Sequence, residues 1–413
     1  MALNIITGID CGSSYIKITC AQIGKENDLQ ILGAALVPSS GIRRGIVIDI
    51  ADTKNSIKEA LNEIQALTGV KIRNVNISLN GTHLKAQESR GVVAVSRADK
   101  EISSADVERA LKAAQTVHLN PNREVIEVIA RSFNIDEEQG IKNPVGMSGI
   151  RLEVNTIILT ASTPFLRNLT KAVEESNLTI SNIEAGPLAS AEAIINKKQK
   201  ELGVMVIDFG AETTSMAVYE EGEVFYTNVF PVGSSHITND IAIGLRTDLD
   251  TAERIKLKFG SCIPNLIRKT EFIDLNELGV DEKIRVKRQD VSEIIQARMK
   301  EIFELINQEL EKINRKGFLP AGAVFTGGGS KLEGLIEMAK DELMLPAHIG
   351  SPANLKGITE YASDPAFARS IGLIMLALNS SGAHHPDRSF GGGQNKLSEL
   401  KNRFLNFFKN LIP

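Results

Sequence analysis

Residues 8–14 read Gly8-Ile9-Asp10-Cys11-Gly12-Ser13-Ser14, and residues 206–212 read Val206-Ile207-Asp208-Phe209-Gly210-Ala211-Glu212. They are two copies of one pattern, set 198 positions apart. In each, an apolar strand delivers an aspartate, a glycine follows two residues later, and small or hydroxylated residues come next. Glycine allows a tight turn and lets backbone N–H groups approach phosphate oxygens. Ser13, Ser14, Thr213 and Thr214 can add hydroxyl donors. Asp10 and Asp208 can hold Mg²⁺ through waters, because that ion dehydrates reluctantly. Lys17 reaches either a phosphate or the solvent. One such motif alone is ordinarily just a turn; two, one in each half of the chain, are far more specific. A third loop, Thr326-Gly327-Gly328-Gly329-Ser330, again follows an apolar strand and precedes a helix. Its three glycines would let a base and ribose lie against bare backbone.

Working outward, strands are expected over 5–9, 16–23 and 30–37, a helix over 53–67 and a buried strand over 75–79. A helix should start near Ser103, where Asp106 completes a capping box. Strands follow at 125–133 and 152–160, joined by a Gly/Pro/Asn-rich loop over 137–149. Helices are expected at 164–176 and 187–202, a strand–turn–strand pair at 204–219 and a strand at 223–230. Residues 290–314 carry one apolar face through Val291, Ile295, Met299, Ile302, Ile306 and Leu310, which predicts a long amphipathic helix. A last helix is expected near 365–379. The order is mixed α/β with antiparallel hairpins.

The chain has 413 residues, 42% of them hydrophobic and 24% charged, enough for two to four domains. Three cysteines without metal spacing exclude a disulfide-stapled fold and point to a reduced, cytoplasmic protein. A net charge of −4 argues against nucleic-acid binding as the main role. The N-terminus shows no signal-peptide pattern. Charge and aromatics are uneven: residues 396–413 sum to +3 against −7 for the rest, and Phe404, Phe407 and Phe408 fall in the last ten residues.

The paired aspartate–glycine loops resemble the two phosphate motifs of the actin/Hsp70/sugar-kinase superfamily, and Thr326–Ser330 resembles its adenosine motif. Within that superfamily the chain resembles the FtsA family of bacterial cell-division proteins. Segments 141–154 (IKNPVGMSGIRLEV), 184–194 (EAGPLASAEAI), 233–242 (GSSHITNDIA), 252–260 (AERIKLKFG) and 296–306 (QARMKEIFELI) carry the likeness. It implies an actin-like two-lobe ATPase fold with duplicated RNase H-like cores, an FtsA-type 1C subdomain and a C-terminal amphipathic helix. Subdomain 1A would span 1–83 and 164–200, with a return helix at 360–379. Subdomain 1C would span 84–163, 2A would span 201–245 and 310–359, and 2B would span 246–309.

The resemblance further implies ATP and Mg²⁺ as cofactors. Gly12, Gly210, Gly233, Gly327, Gly328, Gly329 and Ser330 would line the nucleotide. Glu253 would accept from the ribose and Lys256 would pack along the base; alternatively the two form an ordinary surface pair. Hydrolytic relatives carry Glu or Gln beside the proline of the first connecting segment. Here Gly186 stands there, with Glu184 two residues earlier, so slow or negligible ATPase activity is expected. Implied partners are further copies in a filament, the C-terminal tail of FtsZ on 2B, anionic lipid and downstream membrane proteins of the divisome. Arg298 is the candidate contact for that tail, or else part of a solvated helix face.

Residues 380–395 read as a flexible linker, and 396–413 as an amphipathic helix. Leu397, Leu400, Phe404, Phe407, Phe408 and Leu411 share one side of that helix and suit the membrane interface, although docking on protein would also bury them. The expected role is an adaptor that tethers FtsZ filaments to the cytoplasmic membrane at mid-cell. A rival is a pilus-assembly platform protein of the PilM type, which should lack such a tail. A second rival is a small-metabolite kinase, for which no motif places a substrate base.

Overall fold

The computed structural model describes residues 4–24, 28–116, 121–278, 285–352, 355–357, 361 and 363–381. Two sheets dominate, and five strands of each share one order, the first sheet adding Lys356–Gly357 beside Leu29–Pro38. In the first, Leu29–Pro38, Tyr15–Ile23 and Ile5–Cys11 run antiparallel to one another. Asn74–Leu79 and then Thr179–Ala185 continue the sheet in parallel with Ile5–Cys11. In the second, Glu223–Phe230, Thr214–Glu220 and Val204–Phe209 repeat the antiparallel meander, and Ala323–Thr326 and Ala347–Ile349 repeat the parallel half. Register is duplicated as well. Asp10 lies opposite Lys17, and Asp208 lies opposite Ser215, each pair seven residues apart along its hairpin.

Helices cover these sheets because their apolar spacing matches the turn of an α-helix. In Ile50–Thr68, Ile57, Ala60 and Ile64 face the first core, among Ile9, Ile16, Ile18 and Ile77. Asp49 caps its start by accepting from the Asp52 N–H, and Gly69 ends it with a left-handed φ of 70°. Arg288–Lys312 does the same for the second lobe, burying Val291, Ile295, Met299, Phe303 and Leu310 against Ile207, Phe209 and Phe325.

Between Asn74–Leu79 and helix Thr163–Glu174 the chain leaves the first lobe to build a separate layer. Lys85–Ala94, Arg151–Ser162, Arg123–Ile135 and Glu138–Ile141 form a four-stranded antiparallel sheet in that order. Helix Ser104–Gln115 packs on it through Val107, Ala110 and Leu111, and its Ser103/Asp106 capping box is present as expected. This layer also touches the second lobe: the Arg131 guanidinium lies 4.4 Å from the centre of the Phe225 ring, and Lys142 donates to the Glu221 carbonyl at 2.6 Å.

Two local differences from expectation have simple causes. The helix expected over 187–202 is two helices, Gly186–Ile194 and Lys197–Leu202, because Asn196 caps the second: its side chain accepts from the Gln199 N–H at 3.0 Å. Inside the expected loop 137–149, Glu138–Ile141 pairs back on Arg123–Ile135 after a turn at Asp136 with φ of 54°. The final helix, Ala368–Ser381, crosses Gly186–Ile194. A Cβ on Gly372 would lie 1.7 Å from the Ala189 carbonyl oxygen, so only glycine allows the two backbones to touch.

Candidate functional site

The two aspartate–glycine turns close in the same way. Gly12 N–H donates to the Tyr15 carbonyl at 3.1 Å, and Gly210 N–H donates to the Thr213 carbonyl at 3.0 Å. Each turn thereby leaves its aspartate at a buried strand end, and the crossed helices bring the two together. Asp10 Oδ1 accepts from Ser78 at 3.0 Å and Asn80 at 3.3 Å; its Oδ2 accepts from Lys17 at 3.2 Å. Asp208 Oδ2 accepts from Ser190, on the first connecting helix, at 2.5 Å.

Arg369, at the start of Ala368–Ser381, bridges the pair and was not singled out in the sequence. Its Nη1 donates to Asp10 Oδ1 at 3.1 Å and its Nη2 to Asp208 Oδ2 at 2.6 Å. Burial would raise the Asp10 carboxyl, but the Arg369 and Lys17 charges outweigh it and hold that carboxyl well below the usual range. Burial would likewise lower Arg369; the two carboxylates reverse that and push it up.

The other expected residues divide between cleft and scaffold. Gly327 has φ of 83°, and a Cβ there would sit 2.4 Å from Asp208 Oδ1. A Cβ on Gly328 would meet nothing within 4 Å, which leaves a bare, open stretch of backbone, while Gly329 lies on the Phe209 ring. Gly233 is brought to the second turn: Ser234 and Ser235 N–H groups donate to the Gly210 and Ala211 carbonyls at 2.9 and 2.8 Å. Ser13 Oγ accepts from Gly45 N–H at 3.0 Å, and Arg44 N–H donates to Glu212, so the tip of the Ile42–Val47 hairpin spans both turns. Ser14 and Thr213 remain in the turns themselves.

Two expected hydroxyl donors face inward instead. Thr214 donates to the Val232 carbonyl at 2.8 Å and Ser330 to the Gly327 carbonyl at 2.7 Å, so both brace their loops. Glu253 and Lys256 do form the i, i+3 pair, at 2.7 Å. Lys256 is also buried under the first turn of Ser234–Leu245, donating to Thr238 at 2.8 Å and to the Ser234 carbonyl at 3.2 Å. Burial lowers its pKa, with Glu253 pulling the other way. Arg298 is forked onto Asp240 at 2.6 and 2.9 Å, so an acidic partner would have to compete with that pair. The last helix takes in Ser380 and Ser381, the first two residues of the expected linker; the rest of that linker, from 382, and the tail residues Leu397, Leu400, Phe404, Phe407, Phe408 and Leu411 lie outside the described residues.

The glycine turns and the open backbone at Gly328 fit a phosphorylated nucleotide. The aspartates do not fit the expected Mg²⁺ as they stand. Both Asp10 oxygens and Asp208 Oδ2 already face Lys17 and Arg369, and a divalent ion would be placed beside a fixed guanidinium.

Two sheets of one topology, each ending in an aspartate–glycine turn beside a crossed helix pair, define an actin-like ATPase fold. The chain of a PilM–PilN type IV pilus biogenesis complex superposes with a TM-score of 0.67 at 17% identity, covering 90% of this chain and 98% of that one. MreB5 of Spiroplasma citri bound to ADP gives 0.54 at 13% identity, covering 92% and 99%. At these identities the likeness establishes the fold. The family follows from sequence. The family model "Cell division protein FtsA" matches residues 205–372, and "SHS2 domain inserted in FTSA" matches 81–160. Cell division protein FtsA of Pseudomonas aeruginosa is 33% identical over 374 residues, covering 91% of this chain and 89% of its own. That of Bacillus subtilis is 34% identical over 377 residues, covering 91% and 84%. The chain belongs to the FtsA family of cell division proteins. Among the described residues no helix is long and apolar enough to cross a membrane.

Proposed function

We propose that the cleft binds ATP, that the protein assembles with its own copies, and that it tethers FtsZ filaments to the cytoplasmic face of the membrane at the division septum. The observation that carries the nucleotide reading is the duplicated aspartate–glycine turn facing the Gly327–Gly329 loop. Gly12, Gly210 and Gly233 let the two turns approach the phosphates closely, and Ser13 and Thr213 bring hydroxyls to them; Gly328 opens room for the nucleoside. Glu253 lies on the helix expected to border the ribose, and Lys256 fixes that helix to Ser234–Leu245.

The membrane part rests on composition. The +3 tail with its three Phe suits anionic lipid, where each basic residue contributes about 1 kcal/mol. The −7 remainder is repelled by such a surface. One tail holds weakly, and many tails on a filament hold by avidity. The subdomain assignment 1A, 1C, 2A and 2B belongs to the same reading, with 1C meeting a neighbouring subunit and 2B, which carries Arg298, meeting the FtsZ tail. The PilM-type reading has the fold likeness in its favour, but that likeness extends only to the fold.

The test is liposome co-sedimentation of FtsZ with the full chain and with a chain ending at Asn395. The full chain should carry FtsZ into the pellet, and the shortened one should leave it in the supernatant. Failure of the full chain to recruit FtsZ would refute the tethering role.

A further inference from the structure

The centre of the cleft already contains a cation. Arg369 reaches one carboxylate from each lobe, and its Nε lies 3.4 Å from Ser190 Oγ. Its side chain is 8% exposed, against 1% and 7% for Asp10 and Asp208, so the three groups interact with little solvent screening. Lys17 takes the other oxygen of Asp10. Two carboxylates therefore face two cations, and the local charge is balanced without a metal.

The guanidinium is also hard to dislodge. Its backbone neighbour Ser370 is hydrogen-bonded through Oγ to Thr19 at 2.7 Å, and one helical turn on, Gly372 is wedged against the Ala189 carbonyl. Arginine keeps its charge throughout the physiological range, and its planar fork suits phosphate oxygens. The three bonds to Asp10, Asp208 and Ser190 use part of its five N–H donors and leave others for a phosphate. A divalent ion held by these aspartates would compete with Arg369 for Asp10 Oδ1 and Asp208 Oδ2 and would sit next to its positive charge.

We propose that Arg369 takes the place of a divalent cation in this cleft, so that a nucleoside triphosphate binds here against a resident arginine and does not require Mg²⁺. The inference rests on the nucleotide reading above, but its metal half can be tested without any nucleotide.

In the first arm, Mn²⁺ alone is titrated into the full chain and bound metal is followed by electron paramagnetic resonance. The wild-type cleft should take up none, whereas Arg369→Gln, which removes the guanidinium from both carboxylates, should gain one site that Asp208→Asn removes. In the second arm, ATP affinity is measured by calorimetry in Mg²⁺ and in EDTA. The wild-type affinities should agree within about threefold, and in Arg369→Gln the EDTA value should be weaker by about tenfold or more, a typical coupling between linked ligands. Mn²⁺ bound by the wild-type chain and lost in Asp208→Asn, or wild-type ATP binding that collapses in EDTA, would overturn the proposal. If Arg369→Gln does not fold, the wild-type measurements still decide. If ATP binds under neither condition, the nucleotide reading fails, while the Mn²⁺ arm still shows whether Arg369 keeps metal out.

Discussion

Gly327 and Gly328 are adjacent, yet they should respond oppositely to a methyl group. Gly327 has a left-handed φ, and its Cβ would strike Asp208. Gly327→Ala should lower unfolding free energy by about 1–3 kcal/mol, seen in urea denaturation. Gly328→Ala should change stability by less than about 0.5 kcal/mol, because its Cβ would meet nothing. It should nevertheless weaken ATP binding in calorimetry, because the methyl enters the space assigned to the nucleoside. Equal stability losses in both variants would contradict the described loop. At this scale the sequence revealed Asp10 and Asp208 because each lies in a short local pattern. Lys17 was half-legible, since its seven-residue spacing from Asp10 becomes a contact only through hairpin register. Arg369 was invisible: it comes from 359 residues beyond Asp10 and 161 beyond Asp208, and no local pattern connects them. Thr214 and Ser330 were over-read, because a hydroxyl in a turn satisfies a nearby carbonyl as readily as a ligand.

The strand Glu223–Phe230 carries a titrating group where the inserted sheet meets the second lobe. Burial pushes the Glu223 carboxyl up to about 7; Lys142 and Lys200 pull it down, and Glu201 adds to the rise. The native chain therefore binds a proton that the unfolded chain has released. Stability from this group is full below the unfolded value near 4.5 and declines as pH rises through about 7. Urea midpoints should fall from pH 5 to pH 8, and Glu223→Gln should flatten that decline and raise the midpoint at pH 8. An unchanged slope in the variant would refute the assignment. Among elements, those with strong periodicity were legible: Arg288–Lys312 from its single apolar face, and Ile50–Thr68 from the three- and four-residue spacing of Ile57, Leu61, Ile64 and Leu67. Lys85–Ala94 was missed because KAQESR offers little apolar alternation, and it is held by pairing with Arg151–Ser162. The break at Asn196 was missed because the flanking residues are good helix formers and the capping bond is local.

For the whole molecule, the duplicated cores were expected only through the resemblance that the recurring aspartate–glycine pattern carries; the strand order itself was not read from the sequence. The position of the inserted layer was not readable, since contacts such as Arg131 on Phe225 join distant segments without a sequence pattern. The overall architecture also bears on turnover. Glu184, two residues before the first connecting helix, is buried in strand Thr179–Ala185 opposite Ser78. Steady-state phosphate release by the full chain should therefore lie orders of magnitude below the ~10 s⁻¹ typical of enzymes. A rate in that typical range would show that another group orients water.

The inserted layer branches from the first lobe but leans on the second, through Phe225 and Glu221. The two lobes are thus joined around the rim as well as through the crossed helices and the Arg44–Glu212 bond. In mechanical terms the molecule is a closed linkage, in which no joint can turn without loading the other. A pull applied to the inserted layer would be felt as torque where Gly372 meets Ala189, next to Arg369.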